Sequence, residues 1–326
     1  MINRIIGTRR DDDLTGLEDV RNLIEGKAGK DKLLGGGLKD VLKGGAARDR
    51  LDGLAGDDTL RGEAGNDRLF GGEGRDKLYG GTGLDLLRGE AGIDRLWGGT
   101  SADALWGGTG SDFLFGDGGD DILQGGAQGD QLFGGTSNDR LFGQGGGDSL
   151  NGGSGSDSLE GGLGDDTLKG GAGRDRLDGG AGNDRMFGGV NGDVIVYDGE
   201  GQDRAGGGAG ADLYRIGASG GFESVLTIVD FSTAEDAFRF FGFQSTTFIN
   251  RDVFGLVDRI RVAAGDLDGD GQVDDTRIRV QEGQNSFAGD VAKIDLLNVT
   301  PQQIRNDLAS IFLGGEAIAD ETILFD

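Results

Sequence analysis

Aspartate is the residue whose spacing could do chemistry. It recurs at every ninth position: Asp31, Asp40, Asp49, Asp58, Asp67, Asp76, Asp85, Asp94, Asp103, Asp112, Asp121, Asp130, Asp139, Asp148, Asp157, Asp166, Asp175, Asp184 and Asp193. Carboxylates at one constant spacing are oxygen ligands for a hard cation, and Ca²⁺ takes about six to eight such oxygens. Two residues after each Asp stands an apolar side chain, Leu33 and Leu42 through Leu177, then Met186 and Ile195. Four residues after each stands a Gly, from Gly35 to Gly188, failing only at Tyr197. The unit is G-G-x-G-x-D-x-L-x, and a fixed period of this kind decides the architecture.

The elements that position these carboxylates follow from the unit. In x-Leu-x the side chains alternate, so the Leu points in and its neighbours point out. A strand of that length must stack on copies of itself. The remaining G-G-x-G-x-D must reverse the chain, which Gly does cheaply through positive φ. Two units make one flattened coil, and coils stack at roughly 4.8 Å. Stacking then sets Asp49 over Asp67 and Asp58 over Asp76, in a column along each edge. The core is two Leu ladders. A buried Leu contributes about 1.5–3 kcal/mol, while ordering each backbone residue costs about 1–2 kcal/mol. One Leu per unit cannot offset that, so the fold needs another stabiliser. A cation between successive coils would remove the repulsion along each Asp column and cross-link the coils.

The repeat resembles the RTX (repeats-in-toxin) nonapeptide. Good copies are Gly71-Gly-Glu-Gly-Arg-Asp76-Lys-Leu-Tyr79, Gly171-Ala-Gly-Arg-Asp175-Arg-Leu177 and Gly180-Ala-Gly-Asn-Asp184-Arg-Met186. The resemblance spans residues 1–217. It implies an all-β fold, a right-handed parallel β-roll solenoid, with Ca²⁺ held by the repeat Asp carboxylates and turn carbonyls. It also implies an extracellular protein delivered by a type I secretion exporter. The chain departs from the motif at several turns. The Gly two residues before Asp is replaced at Leu38, Ala47, Ser101, Gln128, Ser137 and Asn191. The second Gly of the pair is replaced at Leu54, Glu63, Glu90, Asp117 and Gln144, the last four at one interval of three units. Their acidic groups either add ligands or are solvated.

Composition agrees. The chain has 326 residues, 71 Gly, one Pro and a formal charge of −26. Without metal, so much like charge and Gly predicts an expanded chain. Nucleic acid and anionic membranes are poor partners for it on charge grounds. There is no His and no Cys, which excludes a His-ligated zinc protease and Ser-His-Asp or Cys-His catalysis. The expectation is a calcium-binding protein and not an enzyme; a hydrolase in residues 218–326 is the remote alternative. No apolar run is long enough to span a bilayer. The start lacks the apolar core of a signal peptide and resembles the opening of an RTX array.

From about residue 218 Gly falls and β-branched and aromatic residues rise. Val225–Phe231 reads as a strand leaving the roll, and 259–262 with 276–280 as a hairpin. A Thr cap and a Pro at the first helical position predict a helix over 298–312. Solenoids need a terminal cap, and 218–326 resembles the mainly-β capping and secretion region of serralysin-type RTX proteins. Between the hairpin strands, Asp266, Asp268, Asp270 and Asp274 with Gly271 match the first half of an EF-hand loop. The segment is a further calcium site or an acidic turn.

Three residues after Asp the side chain faces outward. One face reads Tyr79, Trp97, Phe115, Phe133; the other reads Phe70, Arg88, Trp106, Gln124, Phe142. The first ladder is either cross-strand stacking that stabilises the sheet or a platform for extracellular polysaccharide or for self-assembly.

Overall fold

The computed structural model describes residues 2–197, 201–217 and 225–230, together with the backbone strands 237–241, 257–265, 275–282, 290–296 and 323–325. Every regular element among them is a β-strand. The chain divides into two compact units, 1–163 and 164–326.

In the first unit, strands alternate between two parallel sheets. Strand Lys77–Thr82 pairs with Arg95–Thr100, which pairs with Phe113–Gly118; on the other sheet Leu86–Gly92 pairs with Ala104–Thr109. Equivalent residues sit one coil apart, Leu78 beside Leu96 and Leu87 beside Leu105. The coil is therefore two units long, as the period requires. The first coil holds one more residue, Ile5 pairing with Ile24. Leu33 through Leu141 are fully buried, so the two Leu ladders are the core.

The strands are longer than x-Leu-x. Lys77-Leu-Tyr-Gly-Gly-Thr82 is typical, and it runs through both glycines. The first Gly, Gly80, is buried and is skipped in the pairing register, while the second, Gly81 at φ 115°, pairs with Gly99. The reversal then needs only the few residues before the next Asp. The sequence unit hides this, because Gly in a strand normally weakens it. Here the inner Gly lies under a carboxylate, and nothing larger fits.

In the second unit the same pairing continues through Arg185–Val190 with Gln202–Ala209, now with one extra residue per coil. Val225–Ile228 does not leave the roll. It pairs in parallel with Gln202–Ala205, and Asp230 accepts from the N–H groups of Gly207 and Gly208 at 2.9 Å each. The expected hairpin forms, with Ile260 opposite Val280 and Val262 opposite Ile278. Strand Asp290–Leu296 pairs antiparallel with it and parallel with Val225–Ile228. The helix expected over 298–312 and the acidic loop of Asp266, Asp268, Asp270 and Asp274 lie outside the described residues.

Candidate metal centre

All nineteen repeat aspartates are buried, none more than 4% exposed. Within each unit they form the two expected columns, joined by a hydrogen-bond relay. Within the first unit the main-chain N–H of one Asp donates to Oδ1 of the Asp one coil further on: Asp31 to Asp49, Asp49 to Asp67, Asp58 to Asp76, Asp76 to Asp94, at 2.7–2.8 Å. The second oxygen is different. Oδ2 of Asp31 through Asp139, and of Asp184 and Asp193, is buried with no hydrogen-bond partner. A buried carboxylate oxygen left so is costly, because desolvation is uncompensated.

The surroundings of that oxygen are oxygens. A Cβ placed on Gly98 would lie 2.6 Å from Oδ2 of Asp103 and 3.0 Å from the carbonyl oxygen of Gly116 in the next coil. At Gly80 the same two neighbours are Oδ2 of Asp85 and the carbonyl of Gly98. Carboxylate and carbonyl oxygens thus lean onto one Cα, a cradle that any side chain would fill. Two acceptor types facing each other without a donor are the donor set of a hard cation. Among the described residues no three acidic side chains gather at one point, so turn carbonyls would supply most of the remaining ligands.

Burial makes many of these carboxyl groups weaker acids and raises their pKa. Desolvation is the main cause, opposed by the backbone N–H, with neighbouring carboxylates adding to the rise. Asp58, Asp103 and Asp130 are pushed up to about 8. Asp49, Asp94 and Asp139 go to about 7, and Asp67, Asp85 and Asp121 to about 6. Near neutral pH the metal-free columns must hold protons or bear unscreened buried charge; a bound cation removes that choice.

The columns reach further than the strict period. The N–H of Asp184 donates to Asp203 and that of Asp193 to Asp212, both at 2.8 Å. An inserted residue moves each out of the nine-residue register, but Gly207-Gly-Ala-Gly-Ala-Asp212 carried the signal. At the other end Asn22 stands in an Asp place. Its Nδ2 donates to Oδ1 of Asp40 at 3.0 Å and to Leu17 O at 3.1 Å, so an amide satisfies itself where a carboxylate cannot.

The motif departures keep the backbone shape. Ala47, Ser101, Gln128, Ser137 and Asn191 hold φ between 72° and 84°, and Leu54, Glu63, Glu90, Asp117 and Gln144 between 68° and 76°. Leu38 alone among the eleven does not. Such φ costs a side chain about 1–2 kcal/mol. Glu90 lies between Gly72 and Gly108 of the adjoining coils. It is exposed, and its charge helps raise Asp76 and Asp94. Glu63 and Glu90 therefore act through space from solvent.

Two parallel sheets closed by glycine turns over buried carboxylate columns define a calcium-binding β-roll. The family model of the RTX calcium-binding nonapeptide repeat matches in windows that overlap from residue 21 to residue 159, with a further one over 160–195. The chain belongs to that family, whose repeats bind Ca²⁺. No curated protein matches it. Two solved structures are similar. One is a hyperactive, Ca²⁺-dependent, beta-helical antifreeze protein from an Antarctic bacterium, at 21% identity over 69% of this chain and 86% of that one, TM-score 0.31. The other is the AlgE6R3 subunit from the Azotobacter vinelandii mannuronan C5-epimerase, at 20% identity over 60% and 85%, TM-score 0.24.

Proposed function

We propose that Ca²⁺ binding between stacked turns drives this chain to fold after export, outside the cell. The observation that carries the reading is the buried, partnerless Oδ2 repeated through Asp31 to Asp139. The nineteen repeat aspartates are the proposed carboxylate ligands, with Asp203 and Asp212 added. Asp266, Asp268, Asp270 and Asp274 make a proposed further site. Binding free energy available only to the stacked form becomes folding free energy. Where Ca²⁺ is scarce, the formal charge of −26 favours the expanded chain, which suits threading through a type I exporter. Residues 1–217 are the proposed roll and 218–326 the proposed serralysin-like cap and secretion region. The protein acts as a binding scaffold and not as an enzyme.

The test is far-UV circular dichroism during calcium titration, with magnesium as control. A cooperative, calcium-selective gain of β signal is expected. A chain equally folded in excess chelator would sink the reading.

A further inference from the structure

The stacked aromatics leave an unexplained feature beside them. Rings Tyr79, Trp97, Phe115 and Phe133 lie parallel, with centroids 4.5, 5.5 and 4.9 Å apart. Their faces cover one another, and the Arg61 guanidinium closes the Tyr79 end at 4.7 Å. A sugar ring cannot stack on faces already covered, so the ladder stabilises the sheet and shows only ring edges outward. Beside it, Arg61, Lys77 and Arg95 stand exposed on three successive strands of one sheet. None of the three makes an ion pair among the described residues; Arg95 lies over Phe113 at 5.1 Å. From Thr59 to Phe133 the outward positions one and three residues after each Asp on this sheet carry no acid. The acids of these strands, Glu63 and Asp117, stand at the turns. In a chain of net charge −26, an acid-free face with three cations on successive strands, Lys77 in register with Arg95 and Arg61 in register with Tyr79, is a segregated surface.

We propose that this face binds an acidic polysaccharide lying along the coil axis, and that calcium licenses the contact. Lys77 and Arg95 are register partners at the coil spacing of roughly 4.8 Å, so they meet successive charged residues of a regular polymer; Arg61 adds its charge from the aromatic column, and ring edges meet the carbon-rich parts between. No large apolar side chain protrudes from this face; the exposed ones, such as Leu84 and Ile93, lie at the turns. That disfavours a lipid surface. Like charge disfavours a second copy packed on the same face. With metal held at the turns, the flanking carboxylates no longer repel a polyanion. The inference rests on the calcium-folding reading.

The experiment uses the full chain in saturating Ca²⁺, with immobilised carboxymethyl dextran against unmodified dextran, and circular dichroism on the same samples. The folded chain is expected to bind the charged polymer, with affinity falling as salt rises, and to ignore the neutral one. The triple variant Arg61→Gln, Lys77→Gln, Arg95→Gln is expected to keep its β signal and bind about tenfold more weakly. Calcium bridging from the acidic edges would leave that variant binding as the parent does, and overturns the proposal. A folded chain that treats both dextrans alike overturns it too, without touching calcium-driven folding. Equal or tighter capture by single-stranded polynucleotide or anionic vesicles overturns the polysaccharide class. A chain that fails to fold in calcium removes both readings.

Discussion

Oδ1 of Asp103 accepts from the main-chain N–H of Asp85 at 2.7 Å, while Oδ2 of Asp103 is buried without a partner. One carboxylate thus serves two ends. One oxygen stitches neighbouring coils, and the other waits for a positive charge. Replacing Asp103 by Asn keeps the oxygen acceptor and turns the partnerless oxygen into a donor that faces the Gly116 carbonyl. Asp103→Asn should raise the melting temperature in chelator and lower it in calcium. Each change corresponds to about 1–3 kcal/mol. Calorimetry in both conditions checks the opposite signs; a loss in both would mean Asp103 is only a packing group.

The pH dependence has a definite sign. Folding raises the carboxyls of Asp58, Asp103 and Asp130 from 3.8 to about 8. A carboxyl raised on folding favours the folded form while it is protonated. That contribution is complete below about pH 4 and is lost progressively as pH climbs from about 4 to about 8. The metal-free chain should therefore be more folded at pH 4 than at pH 8 by circular dichroism. In calcium the trend should vanish or reverse, because metal competes with protons. Calcium binding at pH 7 should release protons, seen as a binding heat that varies with the buffer.

The strained turns offer an independent handle. Leu54 sits at φ 75° and is 39% exposed. Leu54→Gly should stabilise the calcium-loaded roll by about 1 kcal/mol, by relieving left-handed strain. Gly98→Ala should do the reverse, because its Cβ meets Oδ2 of Asp103 and the Gly116 carbonyl. A cost of about 1–3 kcal/mol is expected, with weaker calcium affinity by isothermal titration. Equal calcium affinity in Gly98→Ala would place the metal away from that oxygen pair.

Trp97 is held between Tyr79 and Phe115. Trp97→Ala should cost about 1–3 kcal/mol in calcium, from two lost ring contacts and their buried area. Denaturant melts measure this directly. No change would mean the rings merely sit side by side.

Much of this was legible in the sequence because one period governs three things at once. The Leu ladders, the Asp columns and the coil length all follow from it. What the sequence hid has physical causes. The strands exceed x-Leu-x: the glycine pair looks like a turn, yet the strand runs on through both and Gly81 pairs with Gly99. Asp203 and Asp212 were passed over because single insertions break the count without breaking the stack. Val225–Ile228 looked like an exit because its composition changes, but backbone pairing is indifferent to that. The aromatic ladder was visible, but whether ring faces or edges meet water is set by stacking geometry.

The Asp relay also gives the roll an arrow. In the first unit, Asp49 takes its acceptor from Asp67, and Asp67 from Asp85, always from the C-terminal neighbour. Removing coils from the N-terminal side leaves every remaining Asp N–H supplied, while the N–H of the residue after Asp, as in Arg68 to Asp49 O, points the other way. Removing them from the C-terminal side strands a donor at each cut. Each Asp thus hooks forward through its own N–H while its carbonyl is hooked by the next coil, so neighbouring coils clasp each other in both directions, like a zip with teeth on both sides.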